Sequence, residues 1–292
     1  MSKEQLEAIL RASAEAPPPA DQSPGSMRAW FEAINAETPL APGVAFAALN
    51  PGPWSGEWVR PEHAREGRLL IYYHGGGFLF GSSRSHRVIT SHLAQAAEVT
   101  VLSVDYRLAP EHPAPVAHDD GFAAYRWALE QGFAPSGIAL AGDSAGGNLA
   151  LCTALRAKSE GLPVPGRVVA MSPALDFAGE GASHRMEPEP PLLQRKLVAV
   201  FNQLYLGQGD LKSPSVTPLY SDLSGMPPTL LHVGDWELLR DDSVTFAERM
   251  REAGSPVELK VWPGMVHCWQ LFGPMLEESM QSLQELAAFI AH

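Results

Sequence analysis

Cysteine is scarce. Cys152 and Cys268 are the only two in 292 residues, too few for the cross-linked framework of a small secreted domain, so both are expected as reduced thiols. No apolar run is long enough to span a bilayer. The first sixteen residues set Lys3, Glu4, Glu7, Arg11 and Glu15 among Leu6, Ile9 and Leu10 where a secretory leader would have an apolar core. A cytoplasmic location is the expectation. Positive charge is also short: 21 Lys and Arg stand against 33 Asp and Glu, a formal net charge of −12. That balance repels phosphate backbones and anionic lipid, which turns the reading from nucleic acid and membrane partners toward uncharged small molecules. Histidines are not grouped for a metal. His86 and His92 lack carboxylate or cysteine partners at ligand spacing and His63 stands alone, so no metal is expected.

What the chain does have is core. Hydrophobic residues make up 45% and charged residues 18%, enough to bury the interior of one large α/β domain with an attached lobe. Short apolar runs at 56–61, 68–73, 100–106, 138–141, 168–171, 229–233 and 257–262 read as strands. Helical patterns lie between the later ones, at 85–97, 117–130, 148–158, 242–253 and 274–291. This alternation predicts right-handed βαβ units and a mostly parallel sheet flanked by helices. The run at 257–262 should lie near the end of the sheet, where unpaired backbone groups invite a partner, so a homodimer is expected.

Two segments fall outside the alternation. Residues 1–16 and 27–36 form short amphipathic patterns separated by Pro17, Pro18, Pro19, Pro24 and Gly25. Residues 176–218 contain no strand-like run, but Leu192, Leu193, Leu197, Val200, Phe201, Leu204 and Tyr205 recur at helical spacing. Ligands of parallel sheets bind beyond the carboxyl ends of the strands. The two segments are therefore expected to form a helical lid, from residues 1–45 and 176–218, over a sheet domain of residues 46–175 and 219–292.

The chemistry centres on Gly142-Asp143-Ser144-Ala145-Gly146. A short apolar strand precedes it and a helix rich in Leu and Ala follows, so Ser144 sits on a sharp turn with small residues where the chain crowds itself. Ala145 opens the helix, and its free N–H points into the same space. His74-Gly75-Gly76-Gly77-Phe78 ends another strand. Its consecutive glycines let backbone N–H groups turn toward a developing oxyanion, with Gly76, Gly77 and Ala145 as donors. Ser144 needs a base and the base an orienting acid, in the chain order serine, acid, histidine. Among later histidines, His184 lies in the lid segment, His232 inside a strand and His292 at the end. His267 remains, in a loop before the last helix. The acid comes from Asp235, Glu237, Asp241 or Asp242. The last two fit the start of the next helix, where a carboxylate caps free N–H groups. Asp105 to Pro113 reads as a buried ion-pair and turn network, and Asp119 and Asp120 as first-turn helix acids.

These motifs together resemble the hormone-sensitive-lipase family of α/β-hydrolases, in particular bacterial esterases with a GDSAG motif. The resemblance covers residues 67–292. It implies the α/β-hydrolase fold with a helical cap, hydrolysis of small carboxylic esters, no cofactor, and a His74 that supports the oxyanion loop. Aligning Leu239, Arg240 and Asp241 with that family's Leu, variable residue and Asp puts Glu237 on the acid and Asp235 two residues early. The family commonly has Asp followed by Pro or Val there, whereas this chain has Glu237 and Leu238. Hydrolysis of lactones or amides by the same residues is the alternative. Small-hormone receptors that resemble the family lack a working triad, whereas Ser144, His267 and an acid are all present here.

Overall fold

The computed structural model describes residues 2–21 and 23–292. Its strands are β1 (Val44–Leu49), β2 (Ser55–Pro61), β3 (Leu69–Tyr73), β4 (Thr100–Asp105), β5 (Ile138–Asp143), β6 (Arg167–Met171), β7 (Thr229–Gly234) and β8 (Val257–Trp262). They form one sheet in the order β1-β2-β4-β3-β5-β6-β7-β8. The pairs β1–β2 and β2–β4 are antiparallel, and every other neighbouring pair is parallel. As the sequence implied, β8 is at an edge.

Helices α1 (Lys3–Glu15), α2 (Pro24–Asn35), α3 (Arg87–Ala97), α4 (Val116–Glu130), α5 (Ala145–Ser159), α6 (Arg195–Leu206), α7 (Arg240–Glu252) and α8 (Glu277–Ala291) complete the fold. Helix-covered faces explain why β3 and β5 are apolar throughout: every residue of both is buried. Successive side chains still alternate between layers. Leu69, Ile71 and Tyr73 join the core under α4, α5 and α7, while Leu70 and Tyr72 join the core under α3 and α8. No helix among the described residues is long and apolar enough to cross a membrane.

Strand β1 is absent from the seven expected. Ala45, Ala47 and Ala48 are weak strand formers, and half-exposed side chains leave little apolar pattern. Pairing with β2 decides its conformation. The apolar stripe of the 176–218 segment also differs from expectation. Leu192 and Leu193 precede α6, and Val200 and Leu204 are about two-fifths exposed. The inward face of α6 is carried by Phe201 and Tyr205, which pack on the main core.

The N-terminal helices reach the loops beyond the sheet. Leu6 of α1, with Ile9 and Leu10, packs on Trp262, Met265, Val266 and Trp269, so it covers the loop that carries His267. From α2, Phe31 packs on Phe80 with ring centroids 4.9 Å apart. Arg28 donates to the Leu79 and Ala109 carbonyls, both at 2.9 Å, and forks onto Glu111.

Candidate active site

Ser144 follows β5 directly and has φ +52° and ψ −117°, a conformation that costs a non-glycine residue on the order of 1–3 kcal/mol. The surroundings hold it there. Its N–H donates to the Met171 carbonyl at 2.8 Å, and its carbonyl accepts from Asn148 and Ala174. The turn also requires Gly146, because a Cβ there would collide with the Tyr73 carbonyl of the adjacent strand.

His267 lies on the loop between β8 and α8, with Nε2 3.0 Å from Ser144 Oγ. Its Nδ1 is 2.8 Å from Glu237 Oε2. Glu237 is fully buried, and its other oxygen accepts from the Ser172 hydroxyl and the Gly234 N–H, both at 2.7 Å. This leaves the carboxylate one orientation. It accepts Nδ1–H, so the lone pair of Nε2 faces the serine. Asp235 is turned elsewhere and accepts from the Gly264 N–H at 2.7 Å.

Opposite Ser144, Gly76 and Gly77 have φ +111° and +61°. The N–H groups of Gly76, Gly77 and Ala145 have no hydrogen-bond partner among the described residues. The loop is held from behind. Asp143 Oδ1 accepts from Gly75 N–H at 3.0 Å and from the Tyr72 hydroxyl at 2.6 Å. His86 Nε2 lies 3.4 Å from Oδ2. His74 Nδ1 meets the Gly75 carbonyl at 2.7 Å, and its ring stacks on Tyr106. Burial first, and the neighbouring His86 second, push His74 down to about 4, so it is neutral at pH 7.

A small cavity of about 40 Å³ lies over Ser144, walled by Gly77, Phe78, Phe177, Leu193, Val198 and Phe201. His184, Asp242 and Asp176 form its polar side. Sequence reasoning made Asp241 and Asp242 caps of α7. They do sit in its first turn, but neither caps it. Asp242 accepts from the N–H groups of Leu175 and Asp176 and from His184 Nε2, and Asp241 accepts from Ser183 N–H. A first-turn carboxylate can turn outward, and here it meets free donors of the neighbouring segment. Asp176 accepts from Ala178 N–H, Glu180 N–H and Tyr220, so the carboxylates of this trio are all engaged.

In the 105–113 region, Asp105 accepts from Ser83. Asp120 forms a fork with Arg107. Asp119 pairs with Arg156.

Sequence reasoning missed Ser172, Tyr72, Asp143 and His86 as supports. For Ser172 there was one available signal, since it immediately follows a parallel strand on the carboxyl side where sites form. It also missed that the Cys268 thiol lies 3.4 Å from His267 Nε2; burial pushes that thiol well up, so it stays protonated.

A family described as having the alpha/beta hydrolase fold matches residues 70–271. An acetyl-hydrolase of Streptomyces hygroscopicus is 40% identical over 240 residues, 82% of this chain and 80% of that protein. An esterase of Acinetobacter venetianus is 35% identical over 97% of this chain and 94% of its own length. Among solved structures, an esterase from the bacterial hormone-sensitive lipase family superposes with a TM-score of 0.95 at 36% identity, covering 99% of this chain and 97% of that one.

Proposed function

The chain belongs to the α/β-hydrolase family, in its hormone-sensitive-lipase group of esterases, and on that premise we propose that Ser144, His267 and Glu237 hydrolyse short- to medium-chain acyl esters. One observation carries this reading: the hydrogen-bonded line from Glu237 through His267 to Ser144. The unpaired N–H groups of Gly76, Gly77 and Ala145 support it.

His267 Nε2 takes the hydroxyl proton as Ser144 Oγ bonds to the ester carbonyl carbon. Negative charge then builds on the former carbonyl oxygen, and the N–H groups of Gly76, Gly77 and Ala145 receive it. Glu237 steadies the imidazolium. Collapse breaks the bond to the alcohol, which leaves with the proton from Nε2, and Ser144 keeps the acyl group. Water, deprotonated by the same Nε2, attacks that acyl-enzyme and releases the acid. Residues 1–45 and 176–218 act as the lid.

The test is hydrolysis of p-nitrophenyl butyrate without added metal, compared with Ser144→Ala. Loss of the nucleophile should lower kcat by orders of magnitude, on the order of 10⁶ in a comparable serine hydrolase. An undiminished rate in the variant refutes the assignment.

A further inference from the structure

Behind the reaction cavity, a second line of polar side chains runs from α5 into α6. Asn148, in the first turn of α5, sends its amide hydrogens to the carbonyls of Ala174 at 2.8 Å and Val216 at 2.9 Å. These residues stand at the two roots of the 176–218 segment. With both hydrogens used, Asn148 Oδ1 can only accept. Facing it at 2.9 Å is His118 Nε2, which must therefore carry a proton. Burial pushes His118 down to about 4, so at neutral pH the ring has one proton and Nδ1 is bare. The Tyr205 hydroxyl lies 2.7 Å from that Nδ1 and must donate to it. Donation runs one way without a break, from Tyr205 through His118 and Asn148 to both roots.

The outer end of this line bears on the reaction site. Tyr205 stacks on Phe78 with centroids 4.0 Å apart and planes within 8°. One turn earlier on α6, Phe201 lies against Gly77, where a Cβ would strike its ring, and meets Phe80 edge-on at 5.6 Å. Stacked rings can slide over one another at little cost. A hydrogen bond at the ring tip removes that freedom. Fixing Tyr205 thus fixes the height of Phe201 above an oxyanion glycine.

We propose that Tyr205, His118 and Asn148 are positioning residues whose hydrogen-bonded line holds α6 over the oxyanion loop and, through Phe201, limits the length of acyl group the site accepts. The proposal rests on the esterase reading above. A purely stabilising network would lower the amount of folded enzyme without changing its choice among acyl chains.

The experiment measures kcat and KM for p-nitrophenyl acetate, butyrate, hexanoate and octanoate with wild type, Tyr205→Phe, Phe201→Ala and the double variant. Phenylalanine keeps the stack and removes only the hydroxyl. Its octanoate-to-butyrate ratio of kcat/KM should rise roughly threefold to tenfold, as befits one buried hydrogen bond, mostly through KM. Phe201→Ala should raise the ratio at least as much, and the double variant should match Phe201→Ala alone, because the tie acts through that ring. An unchanged ratio in Tyr205→Phe overturns the proposal, as does a double variant in which the two effects add. Ser144→Ala, run beside them, separates the two readings: full activity there sinks the nucleophile assignment, whereas lost activity upholds it and leaves the ratio to decide on the tie alone.

Discussion

Asp143 Oδ1 accepts the backbone N–H of Gly75 at 3.0 Å, so the residue before the proposed nucleophile grips the loop whose glycines face it. The two halves of the site are thereby built as one piece. A shift of the serine turn would carry the glycine loop with it, which would keep the proposed donors and the proposed nucleophile in register. Gly75 is part of the fit, since a Cβ there would strike the Asp143 carboxylate. On the other side, Ser172 bridges Glu237 to the backbone of Cys268, next to His267. The proposed acid and base are coupled in the same manner.

The first prediction follows from that grip. Asp143→Ala should lower kcat by roughly 10- to 100-fold with a smaller change in KM, because displaced oxyanion donors weaken the transition state more than the ground state. It should also lower the melting temperature, since the Tyr72 hydroxyl is left buried without its acceptor and Gly75 N–H keeps only His86 Nε2 at 3.2 Å. Steady-state kinetics and thermal unfolding read the two effects separately. Wild-type kcat in a folded variant would show that the grip has no part in catalysis.

Acyl preference is the second. The cavity of about 40 Å³ has room for only a few waters, and Phe201 stands over Gly77. Butyrate esters should be turned over faster than emulsified long-chain triglyceride. The reverse order, measured by titrating released acid, contradicts the short-chain reading.

Acid should destabilise the fold through its buried neutral histidines. Burial lowers His74 and His118 to about 4 and His232 to about 3. The unfolded chain takes up these protons near 6.5, before the folded chain does. Stability from these groups is therefore full above about 6.5 and falls as pH drops toward about 4. His184 works in the opposite sense. Burial alone would lower it, but the bond to Asp242 and the charges of Asp242, Asp176 and Asp241 outweigh burial and leave it raised. Its contribution is present below about 6.5 and is lost as pH climbs through the raised value. Because the His184 contribution does not change below about 6.5, the three buried neutral histidines alone set the slope there and predict a melting temperature that declines between about pH 6.5 and about 4. A flat or rising profile over that window would contradict the neutral assignments.

The sequence was legible where a local conformation forces a residue type. Gly146 beside a strand carbonyl, Gly76 and Gly77 at positive φ, and the apolar runs of β3 and β5 all declare themselves within a few positions. Pairings across the chain do not. Asp143 meets Gly75 from 68 residues away, Ser172 meets Glu237 from 65, and His118 meets Tyr205 from 87. No periodicity encodes such contacts; they arise when the sheet brings strand ends together. The α7 acids were misread for a related reason. Their sequence position suits a helix cap, but the free donors they found belong to residues 175, 176 and 183.

The choice of acid makes the last prediction. Asp235 and Glu237 leave the same strand end, and aspartate has the shorter and more easily ordered side chain. The longer glutamate is compensated by its setting: the Ser172 hydroxyl and Gly234 N–H hold one oxygen and leave the other 2.8 Å from His267 Nδ1. Asp235 instead braces the turn at Gly264. Glu237→Gln keeps the shape but can offer its amide N–H to Nδ1, which favours the tautomer that points a proton at Ser144. A large loss in kcat is expected, on the order of 10⁴ when the corresponding aspartate of a serine protease is replaced by asparagine. Asp235→Asn retains an oxygen acceptor for Gly264 and should change kcat by less than about threefold, the scale of a partly retained hydrogen bond. Steady-state kinetics on p-nitrophenyl butyrate compares the two. A severe loss in Asp235→Asn with near-normal turnover in Glu237→Gln would transfer the orienting role to Asp235.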